Sequence, residues 1–341
     1  MVEYGFLDQF TRSYSIHNWV DFTSLEIFML KIFRLFFLLA LSLPVFAAEP
    51  ACPPALQTPS PEMIKAAMNS ARDRGFLWRI SKDGQTSFLY GTIHVAKFDW
   101  MFPGPQVMKA LRESDTMALE LDILDQEIME RLSREVKAMK SISMTAVLSR
   151  RMLKQAESLC TPYAAISMLT PELQVTALSV TAGRRAGLEA AYGIDAVLAG
   201  IGHGARKKVV SLETPELQLR LLHMSKPEDT IAFVSDSLAE LESGRTLAML
   251  KTISDLWSDS DYARLEKFEE WCECLNTENE REVMRRALDE RNPVMAENIN
   301  NLHNNGSKVF AAVGSLHMFG PLGLPALMSK LGYQVERVVF Q

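Results

Sequence analysis

A chain of 341 residues that is 48% hydrophobic and 23% charged has the composition of a folded globular protein, not of a disordered or fibrous one. Its formal net charge of −6 comes without any lysine- or arginine-rich block, which speaks against a nucleic-acid partner, and it is too mild for an acidic disordered tail. The length allows one large domain or two small ones.

The N-terminus carries the sharpest change in composition. Residues 29–34 are a short basic segment containing Lys31 and Arg34, residues 35–46 are an apolar run, and Val45-Phe46-Ala47 suits cleavage after Ala47. This is the pattern of a secretory signal peptide over residues 29–47. The run is short for a membrane-spanning helix, which needs about 20 apolar residues. The expectation is a periplasmic or secreted mature chain. The alternative is an inner-membrane anchor formed by an uncleaved signal, and that is the one way this chain would meet a membrane. No Leu-x-x-Cys lipobox precedes Cys52. Residues 1–28, with Asp8, Asp21 and Glu26, do not suit the front of an export signal and read as an upstream extension, with translation starting at Met29.

All four cysteines, Cys52, Cys160, Cys272 and Cys274, follow the cleavage point, and an exported compartment permits disulfides. Three connectivities are open. A bond within Cys272-Glu-Cys274 would be strained, so at least one long-range bridge is expected. Cys-x-Cys alone is a weak metal signal.

Residues 48–74 read as an extended leader, rich in proline and alanine at 49–61. Phe76–Ile80 and Thr86–Tyr90 are short apolar strands joined across Ser81–Gly84, where Asp-Gly signals a hairpin. Tyr90 leads into Gly91-Thr-Ile-His94, then a helix from Pro105 to about Glu113 and a strand over Thr116–Asp122. The middle of the chain, 125 to 305, is mostly helical. Thr170-Pro-Glu and Thr214-Pro-Glu read as helix starts, Thr277–Glu280 as a capping box, and Asn292-Pro293 as ending one helix and capping the next. A short strand, Lys208–Leu212, interrupts the helices, and the Gly200–Gly204 segment around His203 reads as a loop turn. The C-terminus repeats the early order: strand Lys308–Val313, Gly314-Ser-Leu-His317, a helix near Pro321 and Pro325 that ends at Gly332, and strand Gln334–Phe340. The predicted fold is therefore α/β (α+β): a mixed sheet built from two neighbouring βαβ-type halves, each bearing a Gly-x-x-His motif, with a large helical insertion, all within 75–341.

His94 and His317 fall just past strand ends, where open α/β sheets bind ligands. Imidazole is the commonest protein metal ligand, but a catalytic metal site wants about three protein ligands. Carboxylates at other strand ends are the natural completions. Glu120 lies in the apolar run Ala118-Leu-Glu-Leu121, where burial demands a partner. Glu213 follows the 208–212 strand, and Asp195 stands in Tyr192-Gly-Ile-Asp195. Each has a blander reading: a merely hydrogen-bonded histidine, an outward-facing Glu120, a helix-capping Asp195, or a Glu213 in the first turn of a helix. His223 and His303 read as structural or surface residues, and Ser315 beside His317 is a poor nucleophile candidate, because close loop neighbours rarely have triad geometry. No His-Glu-x-x-His and no Gly-x-Ser-x-Gly is present, which disfavours common zinc proteases and α/β-hydrolases.

Taken together, Tyr90-Gly-Thr-Ile-His94, Leu119-Glu-Leu-Asp122, Gly193-Ile-Asp195, Leu212-Glu213 with Gln218, Arg291-Asn292 and Val313-Gly-Ser-Leu-His317 followed by Gly320-Pro-Leu-Gly-Leu resemble the TraB/GumN family over nearly all of residues 75–340. That family includes the Tiki proteins, metal-dependent proteases acting on Wnt, and the TraB/PrgY proteins, and it is similar to erythromycin-esterase-like and ChaN-like proteins. The resemblance implies a site built from His94, His317 and Glu120, with Arg291 and Asn292 as further site residues. Glu213 and Asp195 are additional candidates. It implies a divalent metal ion, manganese or cobalt ahead of zinc, held by His94, His317 and Glu120, with Glu120 as ligand or general base and Arg291 facing a developing oxyanion. The partner would be a peptide or small-molecule substrate. The competing expectations are a non-catalytic envelope protein that sequesters a peptide or small ligand, and a structural protein whose histidines brace the sheet.

Overall fold

The computed structural model describes residues 52–53, 56, 58–222, 224 and 226–340. The segments expected to be an upstream extension and a signal peptide, and His223, lie outside the described residues.

Strands β1 (Phe76–Lys82) and β2 (Gln85–Thr92) form the expected hairpin. Asp83 and Gly84 both take positive φ, 50° and 77°, which is the turn that matches the twist of paired strands. Strand β3 (Thr116–Leu119), β4 (Lys208–Ser211), β5 (Val309–Gly314) and β6 (Gln334–Val338) complete a six-stranded sheet of order β4-β3-β5-β2-β1-β6. Strands β4, β3, β5 and β2 run parallel, and β1 alone opposes its neighbours. The carboxyl ends of four strands therefore share one edge, the usual place for a ligand.

The two βαβ-type segments exist, but they interleave instead of standing side by side: β5 inserts between β2 and β3, so neither segment pairs its own strands. Burial explains this. All six positions of β5 and all four of β3 are buried, so both belong in the middle of the sheet. The alternating β6 is partly exposed and takes an edge.

Among the helices that place the site are α1 (Pro61–Asn69), α2 (Pro105–Glu113), α3 (Gln126–Ala138), α4 (Ala146–Ser158), α5 (Pro171–Ala182), α6 (Ile194–Gly204) and α7 (Pro215–Leu222). Then come α8 (Pro227–Ser243), α9 (Arg245–Ser258), α10 (Tyr262–Leu265), α11 (Phe268–Trp271), α12 (Glu278–Ala287), α13 (Asn292–Asn304) and α14 (Leu324–Lys330). The insertion carries a core of its own, with Met152, Val175, Leu178, Val234 and Leu238 buried between α4, α5 and α8. Cys52–Cys160 ties the leader to the end of α4, which is the expected long-range bridge, and the second bond is Cys272–Cys274. Among the described residues no helix is long and apolar enough to cross a membrane.

Two readings of the insertion change. Gly200–Gly204 is the last turn of α6, not a loop, because glycine lets the helix lie close on the sheet: a Cβ on Gly202 would stand 2.9 Å from Val209 Cγ2. Asn292 does not cap α13. The preceding helix ends at Ala287, Arg291 is the N-cap residue, and the Asn292 side chain is drawn away to His317 and Leu322.

Helix α2 shows how tightly the leader is docked. Asp73 accepts from the backbone N–H groups of Gln106 and Val107 at 2.9–3.1 Å, capping the helix from outside. A Cβ on Gly104 would meet Asp73 N at 2.0 Å and Arg72 C at 2.3 Å, both backbone. Gly104→Ala must displace the leader and lose this cap, so we expect a loss on the order of 2–4 kcal/mol in urea unfolding. A change below about 0.5 kcal/mol, the range of an ordinary surface substitution, would contradict this packing.

Candidate active site

The Gly-x-x-His segments leave the carboxyl ends of adjacent parallel strands, β2 and β5. Their glycines have different tasks. A Cβ on Gly91 would strike Ser315 Oγ at 2.9 Å, so this glycine lets the two motifs pack against each other. A Cβ on Gly314 would stand 3.3 Å from both Glu120 Oε1 and His94 Nε2 and 3.6 Å from His317 Cδ2. Gly314 thus marks the point on which three of the predicted site residues converge.

His94 is held by Asp195: Nδ1 lies 2.7 Å from Asp195 Oδ2, and Thr92 Oγ1 donates to Asp195 Oδ1 at 2.5 Å. A carboxylate only accepts, so Nδ1 carries the proton and Nε2 is turned to the site. Helix α6 delivers Asp195 in its first turn. Its N-terminus rests on the motif, with Ile194 N–H donating to Ile93 O, and only glycine fits at 193, where a Cβ would lie 2.6 Å from His94 O. The His94 side chain is 67% exposed, and the Asp195 carboxylate raises its pKa to about 9.

His317 is the buried counterpart. Leu322 O can only accept, so Asn292 gives it the amide nitrogen at 2.9 Å and turns its oxygen to His317 Nδ1 at 2.6 Å. Nε2 then keeps its lone pair and accepts from Arg291 Nη1 at 3.2 Å. Burial pushes the His317 pKa down to about 4, so the ring is neutral at pH 7 and its 3.8 Å approach to Glu120 is not an ion pair.

Glu120 and Glu213 leave the ends of neighbouring strands β3 and β4, and both are buried with Arg291 between them. Glu120 is not outward-facing. Arg291 Nη2 donates to Glu120 Oε2 at 2.6 Å and to Glu213 Oε2, Nε donates to Glu213 Oε1 at 2.9 Å, and Nη1 donates to Ala287 O at 3.0 Å as well as to His317. All five N–H groups of the guanidinium are therefore engaged, and facing an oxyanion would require Nη1 to leave His317. Gly314 N–H donates to Glu120 Oε1 at 2.7 Å, and Gln218 Nε2 spans both carboxylates at 3.3–3.4 Å. Burial pushes the Glu120 carboxyl up, but His317, His94, Arg291 and the Gly314 N–H outweigh it and hold the pKa at about 2. A carboxylate so stabilised is a weak general base.

All seven predicted site residues thus meet at one end of the sheet. Thr92, Gln218 and the Gly314 N–H join them; Thr92 lies inside the first motif and its hydroxyl holds Asp195. His203 is elsewhere: its Nε2 contacts Asp122 Oδ2 at 2.7 Å and helps fix the loop after Glu120. His303 is structural, bonded to Ser87 at 2.9 Å, and Ser315 is buried with its hydroxyl donated to Thr92 O.

Two imidazoles held through Nδ1 and one carboxylate are a donor set suited to a catalytic divalent ion. Among the described residues, the three carboxylates Glu120, Glu213 and Asp195 face Arg291 and protonated His94 as their cations, which leaves one net negative charge. Exchanging the His94 proton for a divalent ion would neutralise the cluster. Among the described residues, however, no three His, Cys, Asp or Glu side chains already stand close enough to share a metal ion. Holding one would require Arg291 Nη1 to give up His317 Nε2.

Fold and site define an α/β protein with paired Gly-x-x-His histidines and a glutamate–arginine–glutamate cluster at the carboxyl edge of a parallel sheet. The sequence profile of the TraB/PrgY/gumN family matches residues 76–337, most of the chain, and the protein belongs to that family. No curated protein and no solved structure matches it.

Proposed function

We propose that the protein is an exported, metal-dependent hydrolase, acting on peptides in preference to small esters. The observation that carries this reading is the pairing of His94 and His317, each oriented by a side-chain oxygen on Nδ1, around Gly314 and beside Glu120 Oε1. His94 Nε2, His317 Nε2 and Glu120 Oε1 would hold the ion, manganese or cobalt ahead of zinc. When bound, the ion would supply Lewis acidity toward a carbonyl and lower the pKa of a bound water. Asp195 and Asn292 keep the rings aimed. Glu213 and Gln218 hold Arg291 and Glu120 in place. Export rests on the signal-peptide pattern at 29–47.

The test is cleavage of a mixed peptide library by metal-stripped protein, followed by mass spectrometry, with manganese, cobalt or zinc restored. Cleavage that returns with metal, and is absent in His317→Ala, is the expected result. Equal cleavage with and without metal would reject metal dependence. A second reading, a non-catalytic binding protein, is favoured by the hold of Arg291 on His317 Nε2. It predicts peptide retention without any new termini.

A further inference from the structure

Behind the first Gly-x-x-His motif, on the leader side, lies a second polar feature that the hydrolase reading does not use. Arg74 has a side chain only 8% exposed, yet among the described residues its Nε and Nη1 have no hydrogen-bond partner. Its single side-chain bond runs from Nη2 to Asp99 Oδ2 at 3.2 Å, and Asp99 is half exposed. A buried guanidinium with unmet N–H groups is costly unless something accepts them. Beside it is a pocket walled by Tyr90, Trp100, Phe102 and Trp257, with Arg72 at its edge.

The polar side chains of that wall already have partners. Trp257 Nε1 donates to Gly91 O at 2.8 Å, Tyr90 Oη donates to Arg74 O at 2.8 Å, and Arg72 Nη2 donates to Ser258 and Asp259. The open space is about 10 Å³ for the centre of a water-sized particle, enough for one water or one monatomic ion. A water would accept from Arg74 and need acceptors for its own hydrogens, for which the side chains of this wall offer the Tyr90 hydroxyl oxygen alone. A halide only accepts, and it also balances buried positive charge.

We propose that this pocket binds one small monovalent anion of the chloride class, seated on Arg74. The anion would stabilise the folded chain where it braces the first motif. Gly75 N–H donates to Trp257 O, and Trp257 in turn donates to Gly91 O, so the strand carrying Gly91 rests on the same residues. The proposal is independent of the metal site.

Thermal unfolding of the purified protein in sodium chloride against sodium gluconate, at fixed ionic strength, is the first measurement. We expect Tm to rise with chloride, by about 3 °C at tenfold excess over the binding midpoint. Crystals soaked in bromide should give an anomalous peak within hydrogen-bond reach of Arg74 Nε or Nη1. Arg74→Gln should abolish the chloride effect. Asp99→Asn, which removes the competing carboxylate, should lower the chloride midpoint about tenfold. Equal Tm in the two salts with no bromide peak would mean a water-filled pocket and overturn the proposal, as would a full chloride effect in Arg74→Gln. If Arg74→Gln does not fold, the bromide peak and the direction of the Asp99→Asn shift decide alone.

Discussion

Replacing Arg291 with methionine is expected to destabilise the protein by on the order of 3–5 kcal/mol, the usual effect of removing one partner from a buried ion pair. Two carboxylates, Glu120 and Glu213, would lose their shared counter-charge while 10% and 0% exposed. Gln218, which offers one amide to both, cannot neutralise them. In the parent, Glu120 is held at about 2 against an ordinary 4.5. Its contribution is therefore present above about 4.5 and is lost as pH falls towards 2. In Arg291→Met the sign reverses: the buried Glu120 carboxylate resists ionisation, its pKa rises, and the deficit should shrink as pH falls towards 5 because it takes up a proton. Adding Glu120→Gln should recover part of the loss, with a coupling of about 1–3 kcal/mol in a double-mutant cycle. Urea unfolding at pH 7 and pH 5 reads all of this. An Arg291→Met protein within 1 kcal/mol of the parent at pH 7 would show that the cluster does not hold the site together.

The second large effect concerns protons and metal at His94. With its pKa at about 9 the ring is doubly protonated at neutral pH, and a metal ion must displace the Nε2 proton. Apparent affinity should rise about tenfold per pH unit from pH 6 and level off above pH 9, with close to one proton released per ion at pH 7. The same shift acts oppositely on stability. The bond to Asp195 contributes fully below the ordinary value of 6.5, and its contribution fades as pH rises through about 9. Asp195→Asn removes the charge that holds the proton, so the plateau should begin near pH 7. The affinity on that plateau should fall about 10–100-fold, because the ring loses its orienting carboxylate. Calorimetry in two buffers of different ionisation enthalpy counts the protons. Affinity that does not change between pH 6 and 9 would exclude His94 as a ligand.

Much of this site could be read from local sequence because its parts stand at strand ends. The Gly-x-x-His pairs, Glu120 in its apolar run and Glu213 after its strand each announce a polar group where the sheet stops. Gly193-Ile-Asp195 is readable as a glycine ahead of a first-turn acid, although the contact it allows, α6 on the His94 carbonyl, is distant in sequence. What remained hidden depends on contacts distant in sequence. Arg291 reaches partners 171 and 78 residues away, and no local pattern reveals that it would join Glu120 to Glu213. Asn292 looked like a cap because Asn-Pro favours one, yet its amide is claimed by a histidine 25 residues on. The glycines of Gly200–Gly204 suggested a loop, and packing of Gly202 on Val209 and Met117 kept them in a helix. The order of β5 between β2 and β3 was likewise decided by burial in the assembled sheet.

The most direct test of the central claim is divalent-metal binding by residues 48–341, measured by calorimetry with manganese, cobalt and zinc beside His94→Ala and His317→Ala, with folding of each variant verified by circular dichroism. The metal-site reading predicts one ion per chain in the parent and binding at least about a hundredfold weaker in both folded variants, the upper end of what losing a ligand's outer partner costs. Binding unchanged in either variant, or no binding by the parent while both variants fold, would contradict a shared metal site at the two Gly-x-x-His motifs.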